Sequence, residues 1–93
     1  MHSSEIDKVK FALTKFRAGY DVADVDAFLD SLQGSLLQWE AGRSGAILAG
    51  EVVQQRFSVT KFRNGYDQDQ VDNFLDQATA TLQAYEKGSK PGY

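Results

Sequence analysis

The chain repeats itself at a spacing of 46 residues, and this repeat constrains its fold more than any other feature. Residues 11–30 read F-A-L-T-K-F-R-A-G-Y-D-V-A-D-V-D-A-F-L-D, and residues 57–76 read F-S-V-T-K-F-R-N-G-Y-D-Q-D-Q-V-D-N-F-L-D. Thirteen of these 20 positions are identical. Widening the comparison to residues 5–42 against 51–88 adds only Glu5/Glu51, Leu36/Leu82, Glu40/Glu86 and Gly42/Gly88. Repeats that share nothing but a core keep their apolar pattern and let their charges drift. This block keeps its Lys, Arg and Asp as well, so it is expected to be a working surface in addition to a fold.

Units of about 40 residues are usually too small to bury a sufficient core alone, so the two repeats are expected to pack on each other. The net charge of −3 argues against nucleic acid as a partner, since phosphate contacts dominate that affinity. The chain has no cysteine, which excludes disulfides and thiolate chemistry. Its first residues lack the basic-then-apolar layout of a signal peptide, and its most apolar stretch is far too short to span a bilayer. A cytoplasmic location is the expectation.

The pattern divides the chain into repeat 1 (residues 1–42), a linker (43–50), repeat 2 (51–88) and a fraying tail (89–93). Each repeat opens with a short helix, capped in the first by Ser3 or Ser4 and beginning in the second at Glu51. A connector follows, whose β-branched and aromatic residues argue against continuous helix. Gly19 and Gly65 punctuate it, and positive φ is expected at both. Tyr20 and Tyr66 are expected to pack over these turns. A long helix comes next, with Asp21 and Asp67 at its cap and Asp24 and Gln70 at capping-box spacing. Val25, Phe28, Leu29, Leu32, Leu36 and Trp39 form one helical stripe; Val71, Phe74, Leu75, Ala78, Leu82 and Tyr85 form the other. Gly42 and Gly88 are expected just past the helix ends. The stripes predict an all-α fold of two helix–loop–helix repeats about a pseudo-twofold axis, with chain length allowing parallel or antiparallel long helices. The stripes can also pair between chains, as a homodimer.

The block F-x-x-T-K-F-R-x-G-Y-D-x-x-x-V-D-x-F-L-D resembles the N-terminal domain of the DivIVA family of bacterial cell-division and polar-growth scaffolds, and the tandem-repeat proteins of actinobacteria above all. The resemblance covers residues 5–42 and 51–88. It implies a parallel pair of units, each with a short helix, an exposed loop and a long helix, and a loop tip that sets a Phe and an Arg against the membrane. The matching residues are Phe16 and Arg17, with Phe62 and Arg63, beside Lys15 and Lys61. It also implies a protein partner in the division or growth machinery, such as another DivIVA-domain protein. Two departures stand out. This chain has an extra residue, Ala18 or Asn64, before the glycine. It also stops soon after Glu86, where the family continues into a coiled coil, so filament building by that route is not expected.

Chemistry alone leaves two readings of the basic turns. An aromatic flanked by cations suits an anionic membrane surface, with the ring in the acyl boundary and the cations among headgroups. Four cations at about 1 kcal/mol each, and two rings at about 1.5–3 kcal/mol each if fully buried, set the upper bound. Alternatively Phe16 and Phe62 are core residues and the module binds a protein partner without touching lipid. The carboxylate pairs Asp26/Asp30 and Asp72/Asp76 are read as solvated faces or partners of the other repeat, not as a metal site. With no catalytic constellation and no phosphate loop, neither an enzyme nor a cofactor is expected.

Overall fold

The computed structural model describes residues 1–61 and 63–88. Phe62 and the tail at residues 89–93 lie outside the described residues. Helix α1 (Ser3–Ile6) leads to strand β1 (Leu13–Thr14), and strand β2 (Gly19–Asp21) runs directly into helix α2 (Val22–Glu40). Helix α3 (Ala49–Gln54) begins inside the span read as linker. Strand β3 (Val59–Thr60), strand β4 (Gly65–Tyr66) and helix α4 (Gln68–Glu86) then repeat the pattern.

The all-α expectation is overturned. The connectors form a four-stranded antiparallel sheet in the order β1-β4-β2-β3, making this a small α/β domain. Their β-branched and aromatic residues suit a pleated, half-buried surface. Every strand pair joins one repeat to the other: Leu13 faces Tyr66, Val59 faces Tyr20, and the two tyrosines face each other at the centre. The pseudo-twofold axis passes through that tyrosine pair.

The long helices start where expected. Asp21 accepts the Asp24 N–H and Asp67 accepts the Gln70 N–H, both at 3.0 Å. Each helix ends on a glycine in the left-handed region, Gly42 at φ 82° and Gly88 at φ 79°. At Gly42 the reversal is complete, with the Gly42 N–H on the Trp39 carbonyl and the Arg43 N–H on that of Gln38.

The short helices are capped differently from the expectation. His2, not a serine, caps α1: its Nδ1 accepts the Ser4 N–H, while Glu5 accepts the His2 N–H. Ser3 is buried, and both its N–H and its hydroxyl donate to Glu40 at 2.7 Å. In the second repeat Leu48 has no side chain that can cap, and Glu86 accepts the Ala49 N–H at 2.7 Å. This explains why Glu40 and Glu86 are identical: each holds a short helix onto the end of its long one.

One core joins the repeats. Ile6 of α1, Phe28, Leu32 and Leu36 of α2, Ala49 and Val52 of α3, and Phe74, Ala78 and Leu82 of α4 form a single buried cluster. Val25 and Val71 are buried as well, whereas Leu29, Leu75, Trp39 and Tyr85 are only partly covered. Both long helices start at the sheet, and at their far ends Trp39 stacks on Tyr85 with ring centroids 5.6 Å apart. They therefore run in parallel. The molecule measures 43 × 23 × 19 Å, with the sheet at one end of the long axis.

Candidate functional site

The repeated charged block lies at the sheet end, and most of it is spent on joining the repeats. Arg17 donates to Asp67, and Arg63 donates to Asp21 at 3.3 Å. The Tyr20 hydroxyl donates to Asp72 and the Tyr66 hydroxyl to Asp26, both at 2.8 Å. The tyrosine rings pack against Phe57 and Phe11, which in turn lie edge-on to Phe28 and Phe74. Asp24 and Gln70 do not turn back to their own caps. They accept the N–H groups of Ser58 (3.0 Å) and Ala12 (2.7 Å) from the other repeat. The Asp21 and Asp67 N–H groups donate to the Ser58 and Ala12 carbonyls at 2.8 Å. Each of these contacts occurs twice, exchanged across the axis, and we call the set the clasp.

Electrostatics follow this geometry. The backbone N–H of Gln70, and then Arg17, hold the Asp67 carboxyl below its ordinary value. Burial, and then the bond to Asp26, push the Tyr66 phenol up to about 12. Burial and Asp72 raise Tyr20 in the same way. These phenols are held as neutral donors, the reverse of what a nucleophile or general base needs.

Gly19 and Gly65 need correcting. Neither has positive φ; only Gly42 and Gly88 do among the described glycines. Glycine is required because two backbones meet. A Cβ on Gly19 would lie 2.5 Å from Thr14 Oγ1, 3.0 Å from the Tyr66 carbonyl oxygen and 3.1 Å from the Gly65 carbonyl carbon. Gly65 has the mirror-image surroundings, with Thr60, Tyr20 and Gly19.

Three repeated side chains at the turns point away from the clasp. Lys15 and Lys61 are exposed, and Phe16 is 81% exposed, the largest exposure among the described large apolar residues. Lys15 Nζ sits 5.7 Å from the Phe16 ring centre, within cation–π range. The reading of Phe16 as core is thereby removed; Phe62 lies outside the described residues. Sequence reasoning missed Leu13 and Val59, which are equivalent residues on the two edge strands and are 58% and 57% exposed. Their shared repeat position and apolar character were the available signal. Together with Phe16 they give the sheet end an apolar fringe.

Two open grooves flank the sheet. One, of about 570 Å³, is lined by Tyr20, Arg56, Phe57, Val59, Asp72 and Leu75 among others. The other, of about 580 Å³, includes Lys10, Phe11, Leu13 and Tyr66. The hydroxyls of Tyr20 and Tyr66, one in each groove, are already bonded to aspartates. Asp26 and Asp72 thus partner tyrosines of the other repeat, while Asp30 and Asp76 are exposed. Among the described residues no group of three or more His, Cys, Asp or Glu is placed to hold a metal, and no helix is long and apolar enough to cross a membrane. No protein-family model, curated protein or solved structure matches this chain.

Proposed function

We propose that this domain is a non-catalytic docking module of the bacterial division or polar-growth machinery, held peripherally on an anionic membrane surface by its Lys-Phe turns. The observation that carries the reading is Phe16: a fully repeated aromatic on a turn tip, beside a cation, with most of its surface in water. Its repeated neighbours Arg17, Tyr20 and Asp21 are instead bonded into the clasp. The resemblance to DivIVA N-terminal domains points the same way, because two parallel units with a turn at one end is the arrangement it implies.

The clasp lowers the expected strength of binding. Arg17 and Arg63 are engaged by Asp67 and Asp21, so among the described residues Lys15 and Lys61 are the turn cations with no ion pair. At about 1 kcal/mol each they contribute about 2 kcal/mol. Immersing the four-fifths of Phe16 now in water adds about 1–2.5 kcal/mol. Lost translational and rotational freedom offsets much of this, so a single domain binds weakly and multivalency strengthens it.

Co-sedimentation with phosphatidylserine-containing vesicles, compared with phosphatidylcholine alone, tests the reading. Phe16→Ala should fold normally and weaken binding by about 5- to 70-fold, the equivalent of the immersion energy. Added salt should weaken wild-type binding by screening the lysines. If the wild type fails to bind anionic vesicles even when fused to a dimerising coiled coil, the membrane reading is wrong. The apolar edge residues Leu13 and Val59 favour a second reading, a protein–protein module whose partner covers the sheet end without lipid. In that case Phe16→Ala would weaken capture of the protein partner and leave vesicle binding at background.

A further inference from the structure

The clasp carries a consequence that is independent of any lipid. All three strand pairs join one repeat to the other, so β1 and β2 of repeat 1 have no strand partner within repeat 1, and the same holds for β3 and β4. The ion pairs, the tyrosine–aspartate bonds and the Phe11 and Phe57 ring contacts are also made between repeats. Neither repeat can close its sheet without capturing another. Only the short segment between Gly42 and Ala49 keeps that capture within one chain. It rests on α2 through a few bonds and one side chain: the Ile47 N–H donates to Ser35 Oγ, whose hydroxyl donates to the Ile47 carbonyl, the Ala46 and Arg43 N–H groups donate to Gln38, and Ile47 packs against the core.

We infer that the clasp is also the docking surface for a second copy of this chain, repeat 1 of one copy closing on repeat 2 of the other. Every bond of the clasp is preserved in such an exchange, so the two forms differ mainly in the linker and in the entropy of association. A short flexible tether supplies its partner at an effective concentration of about millimolar. Exchange is therefore minor at micromolar chain concentration and becomes comparable with the closed monomer near the millimolar range. Sites that concentrate the protein would favour it.

The absence of cysteine makes the test direct. One full-length chain carries Ser58→Cys and another carries Asp24→Cys, residues whose groups meet at 3.0 Å across the clasp. The two chains are unfolded, mixed, refolded together and oxidised. Neither can form an internal disulfide, so a covalent heterodimer reports exchange. A chain with both substitutions shows whether the bond can form, and Ala12→Cys with Gln70→Cys is the equivalent couple if the first variants fail to fold. The heterodimer should rise from about 1% or less at 1 µM to a major species near 1 mM. A mispaired couple, Ser58→Cys with Asp30→Cys, should remain near background. A matched couple that yields no more heterodimer than the mispaired one at about 1 mM would overturn the inference, whether the chains stay monomeric or associate by another face.

Discussion

Replacing Gly19 with alanine tests whether the sheet depends on two backbones touching. The added methyl would lie 3.1 Å from the Gly65 carbonyl carbon and 3.0 Å from the Tyr66 carbonyl oxygen, against about 3.5–4.0 Å for relaxed carbon contacts. Thr14 Oγ1, at 2.5 Å, is closer still, but a side chain can move; the opposing strand belongs to the sheet centre and cannot move without breaking it. Overpacking of this kind costs about 1–3 kcal/mol. An unstrained site would instead gain about 0.4–1 kcal/mol from a stiffer unfolded chain, so the two accounts differ in sign. In a domain of this size the loss corresponds to a melting temperature lower by about 4–24 °C. Thr14→Ala in the same chain should recover only the side-chain share. Gly34→Ala is the control: nothing lies within 4 Å of its added methyl, it sits inside α2, and repeat 2 already has Ala80 there. That change should stabilise by about 0.5–1 kcal/mol. Thermal melts by circular dichroism read all of these, and a Gly19→Ala protein as stable as wild type would refute the close-approach argument.

Leu32→Ala and Leu82→Ala, at fully buried positions, should each cost about 2–5 kcal/mol in urea titration, and Leu29→Ala less because its side chain is only partly covered. Stability should fall as pH rises from about 10 toward 12, because the folded phenols of Tyr20 and Tyr66 hold their protons after the unfolded ones have lost them. The double variant Tyr20→Phe/Tyr66→Phe should flatten that slope, and an unchanged slope would exclude the tyrosines as its source. At the acid end, the lowered Asp67 value means stability present above the ordinary carboxylate range is lost as pH falls through the folded value. Arg17→Ala should raise the Asp67 titration seen by NMR only part of the way, since the Gln70 N–H remains; a return to the ordinary value would make Arg17 the main cause.

The long helices were legible because an apolar stripe runs along most of their 19 residues and their ends carry an aspartate cap and a C′ glycine. The strands were not. At two or three residues each they are too short to show alternation, and their partners lie 39 to 53 residues away, in the other repeat. Missing them led to the all-α expectation, although the same β-branched and aromatic residues had already argued against helix. The serine caps failed for a related reason: Ser3 is claimed by Glu40, 37 residues distant, which a local capping rule does not consider.

Repeated charge was a sound signal, and interlocking of the repeats accounts for a large part of it. In a structure with a pseudo-twofold axis, a contact across the axis is made twice, so both of its residues must appear in both repeats. Arg17 can keep Asp67, and Arg63 keep Asp21, only if neither the arginine nor the aspartate drifts in either copy. Tyr20, Tyr66, Asp26 and Asp72 are tied by the same logic. A repeated pair of opposite charges at one fixed spacing is thus first a sign of interlocking, and only its remainder bears on function. Subtracting the clasp and the core from the block leaves Lys15, Phe16 and Lys61 at the turns, and Asp30 and Asp76 on the long helices, among the described residues. Lys15 and Phe16 lie on one turn, with their side chains toward water and no partner across the axis to account for their identity. Interlocking of the repeats accounts for the two arginines and for Asp21, Asp26, Asp67 and Asp72; it gives no account of the two lysines and Phe16.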